Sequence, residues 1–448
     1  MHWARAALLL CASLAACRFT VPAVATDAGG GGIQDMAVAV DLGGDVAGGC
    51  ACALGCVPAP TPHCLALQPS GPVTTGDFMQ SGLTGLNVGG NISLNTDDGS
   101  ITGIVMRPPG AGVNMGIGYR VATQTGGPSV GVFSFDGFLL PAGARMTVRG
   151  SNAFALASTG PVQIDGTIDA ACSVSGPGPG GSRGGTMAGA ASGDGSGSGA
   201  GKAGQTGATG GSGGGGAGYG DSGGAGGLLV TQTARNGGAI WGDLTTPALM
   251  LVGGSGGGAG AGPMGGVGGA GGGAVQLSVN NALRVGGVIH VGGCGGAKGS
   301  KNNGGGGGGS GGAIVLEAGS ITLSASAVLA ANGGGGGAGD DKSSSGSDGT
   351  ASTAPAPGGT TTSNGGGNGG NGGASNGMPG QHFTSGRDGQ IPTAGMSFGG
   401  GGGGGAGRIA LRAMMTGISD GSTAVTPDAA DTNSAGQHPT VYGVATFQ

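Results

Sequence analysis

The residues with chemistry to offer are few. Charged side chains make up 8% of the 448 residues, and there are five histidines. On stretches that alternate like strands stand Asp165, Asp169, Arg284, His290 and Glu317. Cleaving a glycosidic bond needs two carboxyl groups flanking it, one to give a proton and one to attack or to activate water. Asp165 and Arg284 hold comparable places in neighbouring repeats and could meet across them, as a surface ion pair would. No carboxylate pair emerges from the spacing, so no catalytic residue is assigned. Six cysteines form two further groups. Cys50, Cys52, Cys56 and Cys64 crowd into a short stretch, read as two disulfides stapling a segment too small to build its own core. Cys50 and Cys52 are too close to pair, which leaves 50–56 with 52–64, or 50–64 with 52–56. Zinc, with His63 as an extra ligand, is the alternative, but C-x-C-x3-C lacks the usual C-x2-C knuckle. No metal site or cofactor is therefore expected.

Several motifs match only because glycine is everywhere. Gly220-Asp221-Ser222-Gly223-Gly224 matches the nucleophile segment of chymotrypsin-like proteases, yet Ser222 sits in a glycine tract instead of a packed barrel. Gly-x-Ser-x-Gly around Ser212, Ser255 and Ser310 follows no strand and opens no helix. A phosphate loop ending at Gly201-Lys202 has Ser196 and Ala203 where glycine and a hydroxyl are needed. Asp221, Asp340, Asp341 and Asp348 do not recur at the period of a calcium-binding roll.

The elements that would carry these residues are short and extended. Ala153 to Ala170, Ala274 to Val291 and Ala313 to Ala330 share one template, with apolar pairs two residues apart. The pairs are Phe154/Leu156, Val162/Ile164, Ile168/Ala170, then Val275/Leu277, Leu283/Val285, Ile289/Val291, then Ile314/Leu316, Ile321/Leu323, Val328/Ala330. Val130 to Val148 continue the pattern upstream, and Arg408-Ile409-Ala410-Leu411 starts another unit. Three strands per unit with matching inward residues predict an all-β fold, a right-handed parallel β-helix. Its coils begin near residue 90, with Phe78 or nearby residues forming an N-terminal cap, and Thr440 to Phe447 cap the other end.

Glycine supplies 122 residues, in runs rather than every third position, so collagen is excluded. The long tracts, about 172–273, 293–312 and 333–407, all follow the third strand and must project from one edge. Either they are disordered or they pack on each other as polyproline-II-like strands, an approach only glycine permits; we favour partial packing. Cys172 and Cys294 follow the third strands of their units. If the units stack as neighbours these cysteines lie ~5 Å apart, within disulfide reach.

The N-terminus reads as an address. Arg5, an apolar stretch from Ala6 to Leu14 and Leu14-Ala15-Ala16-Cys17 look like a lipoprotein signal (residues 1–16), with Cys17 acylated. Simple secretion, with cleavage after Ala23-Val24-Ala25, is the alternative. Arg18 in place of Asp points, by resemblance to lipoproteins, to the outer membrane. The expected order is a tether over 17–49, the cysteine cluster over 50–70, N-terminal coils over 71–170, interrupted coils over 171–411 and a cap over 412–448. A net charge of −5 without a basic stripe makes nucleic acid a poor partner.

Strands such as Gly-Gly-Ala-Val275-Gln-Leu and Gly-Gly-Ala-Ile314-Val-Leu, alternating with glycine tracts behind a lipobox, resemble glycine-rich surface lipoproteins of the myxobacterial type. Gly366 to Gly373 also resembles the repeats of mycobacterial glycine-rich surface proteins, without their N-terminal helical domain. The resemblance implies a cell-surface location and no particular activity. The expected role is non-catalytic, structural or adhesive, with the membrane and a glycan or envelope ligand as partners. A polysaccharide lyase or hydrolase is the alternative.

Overall fold

Short blocks of Val, Ile, Leu and Phe between Gly, Pro and Asn favour extended chain over helix, and the computed structural model bears this out. It describes residues 63–188, 191–207, 210–227, 237–244, 250–362, 366–374, 397–414 and 417–447 except 423 and 434, with Cys56–Val57 and Gly389. All belong to one compact unit, Gly48–Gln448. Among the described residues the chain is nearly all-β, and its one helical element is the single turn Thr75–Phe78.

Five repeats carry the strands. The first is Val130–Phe135, Phe138–Leu140 and Arg145–Arg149; the second is Ala153–Ser158, Val162–Ile164 and Thr167–Asp169. Ala274–Val285 with Val288–His290 forms the third, and Ala313–Leu323 with Val328–Ala330 the fourth. Arg408–Ala413, Ile418–Asp420 and Ala424–Thr426 form the fifth. Each strand pairs in parallel with its equivalent in the next repeat, giving three ladders. Leu86–Asn87 and Ile92–Asn95 begin the second and third ladders, and Thr440–Val444 ends the first. The opening end is closed by antiparallel hairpins, Gly112–Asn114 with Ile117–Ala122 and Ile92–Asn95 with Ile101–Gly103.

Register stacks like on like. Leu156, Leu277, Leu316 and Leu411 are Cα partners in succession, as are Ile168, Ile289, Leu329 and Val425. All eight lie in one continuous apolar core. One pair expected to face inward does not. Leu329 and Ala331 enter that core, while Val328 aligns with Thr167 and Val288 on the outer side. Val328-Leu329-Ala330 is apolar on both faces, so alternation could not set its phase.

A second apolar cluster covers the outer side of the first ladder. Small outward residues (Ala153, Ala155, Ala274, Ala313, Ala410) meet Leu67, Val73, Phe78, Tyr219, Leu244 and Leu251. Residues 67–78 run across the stack as a strap. Leu67–Gln68 pairs with Thr446–Phe447 beyond the last repeat, while Asp77 accepts from Arg120 on the strand preceding the first. Phe78 is thus part of the strap packed on the ladder, not a cap on the end of the stack; its carbonyl accepts from Thr159 Oγ1 at 2.8 Å.

The described parts of the glycine tracts are packed, not loose. Consider residues 304–311. Gly305, Gly308 and Gly311 donate to Gly399, Gly402 and Gly405; Gly306 and Gly309 donate to Ala297 and Cys294; Gly304, Gly307 and Ser310 donate to Ala261, Gly258 and Ser255. Their carbonyls accept from three further strands, through Gly214 and Ala217, Gly337 and Gly334, and Gly266, Gly269 and Gly272. Every third residue therefore faces the same neighbour, the period of a polyproline-II helix, and six strands surround the seventh. A methyl group on Gly305 or Gly308 would lie 2.1 Å from the carbonyl oxygen of Gly337 or Gly334. The array grows from the β stack without a break: Ala313 donates to Gly273, and Arg408 to Gly312.

Candidate functional site

The strand-borne charges are engaged with one another. Asp165 Oδ1 lies 2.8 Å from Arg284 Nη1, and Gln163 Nε2 donates to its other oxygen. Asp169, next along the outer surface, takes Arg145 Nη2 at 2.6 Å and faces His290 Nδ1 at 3.6 Å. Burial opposes its charged form, but the contacts with His290 and Arg145 outweigh it and hold the carboxyl at about 2. His290 Nε2 meets the Gly349 carbonyl at 2.8 Å, which closes the other side of the ring. A carboxylate held so low cannot serve as a proton donor near neutral pH.

Glu317 is buried beneath the strap. Oε1 accepts from Arg412 Nη1 at 2.9 Å and from Ser70 Oγ; Oε2 accepts from Ser70 N at 3.0 Å, Gln276 Nε2 at 3.2 Å and Ser278 Oγ at 3.2 Å. Five donors fix both oxygens, so this group pins the strap to the third, fourth and fifth repeats. The short motifs are structural as well. Ser212, Ser255 and Ser310 are buried in the array, where their hydroxyls accept from backbone N–H groups of Gln205, Gly199 and Ser255. Ser222 stands in an array turn, between Asp221 N donating to Ala406 and Gly223 N donating to Gly238. Asp340 and Asp348 accept from the backbone of Asp341 and Gly295.

Cys172 and Cys294 form a disulfide with Cα atoms 5.6 Å apart, across adjacent repeats. Asp348 lies near enough to make a three-ligand group with them, but the two sulfurs are bonded to each other. In the N-terminal cluster the backbones of Cys56 and Cys64 are partners in a short antiparallel pair. The side chains of that cluster, together with Cys17, Cys50 and Cys52, lie outside the described residues.

Beside the disulfide is an open cavity of about 440 Å³, within the range of small-ligand sites. The loop Ser173–Pro177, Arg183 and Thr186, the edge Val267–Ala270, Cys294, Gly295, Ala297 and Asp348 line it. Neither this cavity nor the strap's polar pin was anticipated from the sequence. A signal for the cavity's floor was available in the triplet Met264-Gly-Gly-Val267-Gly-Gly-Ala270, which marks a strand with one free side.

A stack of parallel three-strand repeats with a glycine array on one corner and a cavity at their junction is the class of architecture defined here. No protein-family model matches the chain, and no curated protein or solved structure matches it either.

Proposed function

We propose that this chain is a non-catalytic cell-surface lipoprotein with a structural or adhesive role, held in the outer membrane through acylated Cys17. Its stack is a right-handed parallel β-helix; the hand follows from the strong preference of parallel crossovers for that sense. The observation that carries the role is the array. It commits a large part of the chain to a rigid body whose described interior offers backbone hydrogen bonds and no reactive set. The ion pairs of Asp165, Asp169 and Glu317 support the same reading, because each carboxylate already has an arginine partner.

The anchor is tested by growth with labelled palmitate. Label in the wild type, and its loss together with release from the membrane fraction in Cys17→Ser, is the expected result. Unlabelled protein in the medium would replace the anchor with simple secretion. The role is tested on a panel of envelope and extracellular polysaccharides, scored for both binding and new reducing ends. Binding without cleavage is expected, and turnover on any substrate would sink the non-catalytic reading.

A further inference from the structure

The strand 264–272 lies on the surface of the array, and its hydrogen bonds show what is unfilled. Gly266, Gly269 and Gly272 donate to Gly304, Gly307 and Ser310, while Gly268 and Gly271 donate to Gly185 and Ser182. The third row, Val267 N–H and Ala270 N–H, meets no acceptor among the described residues, and both residues line the cavity. Across from them, the Arg183 guanidinium has no acid partner among the described residues. Asp348 uses Oδ1 for the Gly295 N–H at 2.8 Å, and Thr186 adds a hydroxyl. The disulfide ties down Cys294, whose N–H donates to the Ala270 carbonyl, so the backbone donors on that wall are fixed before any ligand arrives.

We propose that this cavity binds a carboxylate-bearing saccharide, a uronic-acid unit of an acidic polysaccharide. The inference rests on the adhesive reading above and names its ligand class. Arg183 takes the carboxylate as a charge-assisted pair. The two backbone donors, three residues apart on one rigid edge, take ring or hydroxyl oxygens, and Asp348 accepts from sugar hydroxyls. One cation and one carboxylate in the same cavity select against a phosphate, whose second charge would face Asp348. They favour a single negative charge on a body rich in hydroxyls. Another glycine strand is excluded by the side chains of Cys294 and Ala297, which line the space such a strand would fill.

The test is calorimetric titration of the detergent-solubilised full chain with a short oligogalacturonate, its methyl-esterified form, acetate and triglycine. Binding of the free acid, with at least about tenfold weaker binding of the ester and in Arg183→Gln, is expected for a lost charged hydrogen bond. Arg284→Gln, on the outer strand face, should change nothing. Equal binding of acid and ester, undiminished binding in Arg183→Gln, or equal binding of triglycine or acetate would overturn the assignment. If the protein binds other glycans and Arg183→Gln leaves them untouched, the cavity inference fails while the adhesive reading stands. If it binds none on the panel, both fail.

Discussion

In the β stack a strand contributes side chains, such as Leu277 and Leu316 lying one above the other; in the array a strand such as 304–311 contributes peptide groups and a single serine hydroxyl. Both regions join neighbouring strands by backbone hydrogen bonds, but the stack's strands run parallel whereas those around 304–311 run both ways, and the energetics differ. Each buried leucine or isoleucine stabilises the stack by ~1.5–3 kcal/mol. A backbone hydrogen bond contributes only ~1 kcal/mol net, whereas ordering a residue costs ~1–2 kcal/mol and glycine the most. The array is thus near break-even alone. It depends on the stack to deliver its strands already aligned, at Gly273–Ala274, Gly312–Ala313 and Gly407–Arg408.

The sharpest break of this comparison is Gly308→Val. No rotamer relieves a Cβ 2.1 Å from a backbone oxygen, so the array should open around residue 308 at a cost above ~3 kcal/mol. The expected signature is rapid proteolysis within the tracts, with stack strands still protected from hydrogen exchange. Leu316→Ala is its counterpart. It should cost ~2–5 kcal/mol and lower the melting temperature of both regions together, because the array cannot outlive its template. If the array keeps its exchange protection after the stack melts, the dependence is reversed.

Glu317→Ala leaves Arg412 buried without its carboxylate and should cost ~3–5 kcal/mol, with the strap cleaved by protease before the strands. Replacing Cys172 and Cys294 by serine opens a closure of 122 residues at the array's base. A loss of at most ~4–5 kcal/mol is expected from chain entropy, read as a lower urea midpoint.

The smallest effect concerns pH. The folded carboxyl of Asp169 sits near 2, below its ordinary value of 3.8, so its stabilisation is present above about pH 4 and lost as pH falls toward 2. Urea midpoints of the wild type and Asp169→Asn should differ at pH 6 and converge near pH 2. A constant gap across that range would assign the loss to geometry instead of charge.

Much of the stack was legible because alternation and turn residues name the inward pairs, from Phe154/Leu156 to Ile321/Leu323. Where a strand is apolar on both faces, as at Val328-Leu329-Ala330, pattern carries no phase and only the neighbouring repeat decides it. The strap was illegible for a related reason. Its partners are small outward alanines, and a row of alanines does not say what covers it. The pairing of Asp165 with Arg284 could be read from their places in the template. Of the cavity only the strand at its floor could, since the donors themselves are main-chain N–H groups that any residue supplies.

Along this margin of the array exposed side chains return every third residue, as at Met264, Val267 and Ala270; Met264 is 61% exposed and Val267 44%. A surface of bare glycine strands would offer unpaired backbone on which further chains, or other molecules of the same protein, could crystallise. Placing a side chain at each third position passivates that growth face. It also leaves length adjustable. Inserting one Gly-Gly-X triplet on each leg of a hairpin extends it by ~9 Å and preserves which residue faces which neighbour. A lineage could therefore change the reach of this body in fixed increments, through insertions that leave its base unaltered.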